Sequence, residues 1–183
     1  MAIKGKIISN PATKQHILFL QTSKDTSGRL LEMESIYEPY SKEPPLHYHP
    51  AQEEHFRVIK GELTVKMNGR IIILKPGDTL HIEKNMAHAM WNSSANDTII
   101  NWQVMPALNT ENLLETITGL AIDNKANRNG KPPFLQLAII ANKYADNFRL
   151  AHPPFIVQQI LFAVVTPLAY LLGYGPRYKR YID

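Results

Sequence analysis

From residue 4 to about residue 105 the sequence is a succession of short strand-like segments, and this constrains the fold more than anything else in the chain. Ile17-Leu18-Phe19-Leu20 is one apolar run. In residues 30–37, Glu32 and Glu34 alternate against Leu31, Met33 and Ser35. Segments 54–59, 62–67, 70–74, 79–82, 88–91 and 98–104 continue the series. Alternation with a period of two turns one face of a strand to a core and the other outward. Asn68-Gly69 separates two of the segments and supplies the positive φ angles of a type I′ turn, which predicts a hairpin. Many short strands at near-regular spacing point to a barrel or sandwich.

After Pro106 the pattern takes on a helical period. Thr110 is placed to cap a helix through Leu113, Leu114, Ile117 and Leu120. Residues 123–131 are polar and loop-like. Pro132-Pro133 opens a second helix with Leu135, Leu137, Ile139, Ile140 and Tyr144. Pro153-Pro154 opens a third over residues 155–172, expected to break at Pro167. The chain therefore divides into a strand-rich part, 1–106, expected to be the barrel or sandwich, and a helical C-terminal extension, 107–183, with a mainly β fold.

Segment 155–172 is apolar and nearly long enough to span a bilayer. Arg177, Lys179 and Arg180 follow it, interleaved with Tyr174, Tyr178 and Tyr181, the flank of a membrane interface. Gln158, Gln159, Thr166 and Pro167 interrupt the run and favour a helix packed on the barrel or in a dimer interface. A homodimer is expected, with membrane association of this helix as the alternative.

The chain has 183 residues, 44% hydrophobic and 20% charged, which is a globular and not a disordered composition. The net charge of +4 is spread along the sequence. The C-terminal cluster is the one tight basic group, so nucleic acid is excluded as a partner. There is no cysteine, hence no disulfide and no thiolate metal site. The N-terminal stretch MAIKGKIISNPATKQH has no apolar core of a secretory signal, and a cytoplasmic location is expected.

The chemistry concentrates between Pro45 and Asn92. In His47-Tyr48-His49, residues two apart on a strand point to one side, so both imidazoles can converge inside a barrel. A new strand begins after Pro50, with Glu54, Phe56 and Val58 on one face and Glu53, His55 and Arg57 on the other. Lys75-Pro76-Gly77-Asp78 is a turn, and the strand after it leads to His88, whose side chain can close the group. Neutral imidazoles with one carboxylate suit divalent Fe, Mn, Ni, Cu or Zn. Glu53 competes with Glu54 for the carboxylate role, but strand alternation favours Glu54. His16, His55, His81 and His152 show no partner pattern and are expected to be surface or core histidines. Phe56, Met90 and Asn92 share a face with a ligand and are candidates to line a substrate pocket, with Gln103 and Tyr40 as weaker ones.

These residues resemble the two motifs of the cupin superfamily. The first motif, Gly-x5-His-x-His-x3or4-Glu-x6-Gly, is matched from His47 through His49 and Glu54 to Gly61, with Ser41 in place of the leading glycine. The second, Gly-x5-Pro-x-Gly-x2-His-x3-Asn, is matched by Gly77, His88 and Asn92, with Glu83 replacing the proline and Asn85 the glycine. Asn tolerates the left-handed backbone that glycine otherwise supplies. The resemblance implies a double-stranded β-helix (jelly-roll) barrel and a single divalent transition metal held by His47, His49, Glu54 and His88. It also implies chemistry like that of quercetinase-type dioxygenases, oxalate-degrading enzymes or some isomerases. The alternatives are a non-catalytic module that binds or senses a small molecule, and a barrel docked to a membrane or partner by its C-terminal helices.

Overall fold

In the computed structural model, which describes residues 2–178 and 180–182, ten strands precede the first helix. Lys179 of the C-terminal basic cluster lies outside the described residues. The strands are β1 (Ile7–Asn10), β2 (Gln15–Gln21), β3 (Leu31–Tyr37), β4 (His47–Tyr48), β5 (Glu53–Lys60), β6 (Leu63–Met67), β7 (Arg70–Leu74), β8 (Thr79–Ile82), β9 (His88–Trp91) and β10 (Thr98–Met105). A two-residue strand, β11 (Arg149–Leu150), follows much later. They form two antiparallel sheets, ordered β1-β2-β3-β10-β5-β8 and β11-β4-β9-β6-β7. This is the double-stranded β-helix barrel.

The strand alternation works as the sequence predicts. On β5, Glu54, Phe56 and Val58 are buried, while Arg57 on the other face is exposed. The two sheets close over Tyr37, Phe56, Val58, Leu63, Val65, Ile82, Met90 and Ile100. Fully burying an aliphatic or aromatic side chain of this size contributes about 1.5–3 kcal/mol. A second cluster, with Phe19, Leu31, Met33 and Val104 at its centre, fills the barrel end near β1 and receives Leu114 from the helical segment. Asn68 and Gly69 have φ of 52° and 72°, as a type I′ hairpin requires. Gly61 is restricted further: its φ is 77°, and a Cβ there would sit 2.3 Å from the Asp97 carbonyl oxygen.

Three helices follow: α1 (Thr110–Ile122), α2 (Phe134–Lys143) and α3 (Phe155–Leu171). Thr110 is the first residue of α1 and does not cap it; Asn109 holds the cap position and makes no side-chain cap bond. The cap comes from a distant residue. The amide hydrogens of Asn109 and Thr110 require the Asn147 side chain to present its oxygen, which accepts from each at 3.1 Å. Helix α2 starts directly after Pro133, as expected.

Helix α3 does not break at Pro167. Proline removes one backbone donor, but Phe162 before it and Ala169 after it are both buried, so packing holds the turns on either side. Among the described residues no helix is long and apolar enough to cross a membrane. The outer side of α3 nonetheless leaves Ile156, Val164 and Leu171 at 67%, 72% and 85% exposure.

The change of pattern after Pro106 is a change of secondary structure, not of packing. Strand β11 pairs with β4, matching Leu150 to His47 and Arg149 to Tyr48. Gln52, which is buried, donates to the carbonyls of Pro106 and Ala107 and to Thr110 Oγ1 at 2.7, 3.1 and 2.8 Å. The helical extension thus enters the barrel wall beside the histidine motif.

Candidate metal centre

Strand β4 carries His47, and His49 follows at its end; β5 carries Glu54 and β9 opens with His88. His47 faces His88 directly across the β4–β9 pair. The turn before β9 is tied to the first motif, because the Asn85 amide donates to the His49 carbonyl at 2.9 Å. Asn85 has φ 64°, the left-handed conformation expected for the residue in the glycine position. Glu83, in the proline position, is exposed, and its carbonyl accepts from the Met86 amide at 3.2 Å.

The three rings gather closely. His47 and His88 have centroids 4.5 Å apart, and His49 lies 5.2 Å from each. One ligand atom from each of the three histidines lies within 4.8 Å of the other two. The Glu54 carboxylate joins them: its Oε2 is 2.9 Å from His88 Nε2 and 3.3 Å from His49 Nε2.

Each imidazole is oriented from behind by a backbone carbonyl. His47 Nδ1 lies 2.9 Å from the Pro45 oxygen, His49 Nδ1 2.5 Å from the Asn147 oxygen and His88 Nδ1 2.9 Å from the Met86 oxygen. A carbonyl only accepts, so Nδ1 carries a proton, and in the neutral ring Nε2 keeps its lone pair. The carboxylate is split in the same manner. Trp102 Nε1–H donates to Glu54 Oε1 at 3.0 Å, which leaves Oε2 for the histidines. Glu54 Oε2 and His49 Nε2 are close enough for an ion pair but do not align as a hydrogen bond, and both atoms are buried without a hydrogen-bonded partner. Buried polar atoms seldom go unsatisfied. Lone pairs turned to a common point meet the requirement of a cation, so the donor set fits a divalent metal.

The electrostatics agree with ligand chemistry. Burial, together with the neighbouring His88 and His49, pushes the His47 pKa down to about 3, so this ring is neutral. Burial disfavours the charged form of His49, but the Glu54 carboxylate outweighs it and raises the pKa. For Glu54 burial opposes ionisation, yet His49 and His88 hold its pKa well below the usual carboxylate range. His47 is the partly exposed member, and Phe148 covers it at 4.9 Å between ring centroids.

The structure sorts the remaining candidates. Glu53 lies on the outer face and is not part of this group. Phe56 and Met90 lie in the barrel core, and Phe56 stacks on Trp102 at 5.9 Å. Asn92, expected to line a pocket, is instead buried and committed to backbone groups. Its amide donates to the carbonyls of Tyr37, Glu38 and Asn96, and its oxygen accepts from Ser94, so it clamps the loop after β9. Gln103 pairs with His55 on the outer face of β10 and donates to Glu32 at 3.0 Å. Tyr40 is 61% exposed, in a loop outside the barrel. His16 is a surface residue bonded to Ser9 and Glu38, as expected. Three contributors escaped the sequence reading: Trp102, Asn147 and Phe148. Trp102 is the cross-strand partner of Phe56, a pairing set by the β5–β10 register, and the other two lie in the extension, where nothing local marks them.

A two-sheet jelly-roll with an imidazole–carboxylate group on its inner wall defines a cupin, and the comparisons agree. The cupin domain family matches residues 33–102. The chain is 30% identical over 177 residues to the probable oxidoreductase virH of Hypocrea virens, covering 86% of this chain and 79% of that protein. The chain belongs to the cupin superfamily. It is also 33% identical over 105 residues to an oxidoreductase of Arthrobotrys oligospora, a match spanning 50% of this chain but only 42% of the relative. Among solved structures, a Thermotoga maritima protein described as a predicted oxalate decarboxylase is similar in fold (TM-score 0.50, 19% identity, 58% of this chain and 99% of that one). An RmlC-like cupin of Shewanella frigidimarina is comparable (TM-score 0.50, 18% identity, 59% and 89%).

Proposed function

We propose that this chain is a metal-dependent oxidoreductase that binds one divalent transition metal through His47, His49, Glu54 and His88 and acts on a small molecule. The observation that carries this is the buried pair of unsatisfied donor atoms, His49 Nε2 and Glu54 Oε2, beside imidazoles whose Nδ1 atoms are all held by carbonyls. Fe, Mn, Ni, Cu and Zn all suit such a set. When bound, the ion supplies Lewis acidity and, if iron, manganese or copper, redox chemistry at positions the protein leaves open. The protein's own part is preorganisation. The carbonyls of Pro45, Met86 and Asn147 keep each histidine in one tautomer, Trp102 holds the carboxylate, and Phe148 shields the partly exposed His47. The oxidoreductase class is supported by the names of the relatives, and a small-molecule substrate by the general capacity of small β-barrels to hold one small ligand.

Elemental analysis of the purified chain tests the first part, with about one transition metal per chain expected at this site. Dioxygen uptake by the metal-loaded protein, screened against small chelating acids and phenols, tests the second. His47→Ala is expected to lose both metal and turnover. Turnover that persists without metal overturns the proposal. Ligands that raise the melting temperature of the loaded protein without being turned over would instead favour a binding or sensing module.

A further inference from the structure

On the opposite face of the same barrel wall lies a second group of ligand-bearing side chains. Glu53 and His55 project outward from β5, and His81 projects outward from β8, the last strand of its sheet. The register places His55 directly opposite His81. Their rings stack at 4.2 Å between centroids and 7° between planes. Glu53 Oε2 is 3.3 Å from His81 Nε2. One ligand atom from each of the three lies within 4.8 Å of the others.

We propose that Glu53, His55 and His81 form a second, open metal site on the outer face of the barrel, separate from the interior centre. Two imidazoles and one carboxylate select a divalent ion such as Zn, Ni or Cu. Metal–ligand bonds of about 2.0–2.1 Å bring donor atoms to roughly 3 Å from one another. The side chains of His81 and Glu53 are 43% and 40% exposed, so they are free to rotate that last distance. With three protein ligands, the remaining positions fall to water. Lys84 is the built-in competitor, its Nζ lying 3.8 Å from Glu53 Oε1. Across β10 His55 faces Gln103, whose amide donates to Glu32, and the exposed Arg57, two residues further along the outer face of β5, is a second cation near the group.

An ion here cross-links β5 to β8. Strand β5 carries Glu54 on its inner face, and β8 leads through the Asn85 turn to His88. The outer site therefore braces, from outside, the strands that position half of the interior centre.

The test uses the full chain, stripped by chelator and titrated with Zn(II) alone at neutral pH by equilibrium dialysis and calorimetry. The unaltered chain is expected to bind about two ions, and His81→Ala and His55→Ala each about one. The His47→Ala/His88→Ala double variant should still bind about one ion, with Zn(II) raising its melting temperature, and adding His81→Ala should abolish both effects. Lys84→Met should tighten the outer event by up to about fivefold, because a partly exposed opposing charge is removed. Stoichiometry and affinity unchanged in His81→Ala and His55→Ala overturn the proposal. A chain that binds one ion, lost on His81→Ala and kept in His47→Ala, supports the outer site and counts against the interior one.

Discussion

Glu53, Glu54 and His55 are consecutive residues of one strand, yet they belong to two different electrostatic settings. Glu54 points into the barrel, fully buried, with one oxygen held by Trp102 and the other close to His49 and His88, two of the three histidines whose Nδ1 atoms are held by backbone carbonyls. Glu53 and His55 point out, half-exposed, beside a stacked histidine and a lysine. Both groups hold imidazoles and a carboxylate within reach of one another. What differs is what stands behind the ligands. Inside, burial makes an unsatisfied donor costly, so a cation is strongly favoured. Outside, water already satisfies the same atoms and an ion gains far less. Ligand identity sets which metals suit a site, and the surrounding shell sets how tightly they are held.

The largest effect should come from exchanging the carboxylates. Glu54→Gln is expected to weaken interior metal binding by more than about a hundredfold, since loss of an outer-shell partner alone costs about 10–100-fold. Glu53→Gln should leave interior occupancy unchanged. Similar losses in both variants, measured by competition against a chromophoric chelator, would erase the distinction between the two faces. Next comes Trp102→Phe, which keeps the packing on Phe56 but deletes the donor to Glu54 Oε1. A loss of about 10–100-fold in interior affinity is expected, with the outer event unaffected.

Acidity should separate the sites as well. His49 holds its proton more tightly than a free imidazole, because Glu54 outweighs its burial. Protons therefore compete for the interior site already above the ordinary imidazole value of about 6.5, and occupancy falls as the pH is lowered through that range. His47, at about 3, offers no such competition until strongly acid conditions. Interior metal retained in full well below pH 6 would refute this order. The smallest effect concerns the link to the extension. Asn147→Ala removes the side-chain cap of α1 but leaves the backbone carbonyl that orients His49. A loss of about 1 kcal/mol, or about 2–4 °C in melting temperature, should accompany only a modest loss of metal.

Much of this was legible because β-structure writes itself in local pattern. Alternation along β5 separates Glu54 from Glu53 without reference to any other strand, and the His47-x-His49 spacing alone puts two rings on one side. The Asn68-Gly69 hairpin and the left-handed Asn85 follow from the backbone freedom of those residue types. Pro167 misled, since a proline's lost bond is a local term and the burial of Phe162 and Ala169 is not. Gln103 and Tyr40 drew attention as polar candidates, but their side chains face away from the interior.

By itself, the sequence determined the strand faces, because periodicity acts over a few residues, and its two cupin-like motifs implied the barrel and the four residues with ligand chemistry. Tertiary structure decided which groups stand behind them. Asn147 lies 98 positions from His49, Trp102 48 from Glu54, and His81 is brought opposite His55 only by the pairing of β5 with β8. Those contacts depend on strand order and register, which are set by how the whole core closes. Hence the interior centre could be outlined from the two motifs, whereas its fixed tautomers and the outer histidine pair emerge only in the folded chain.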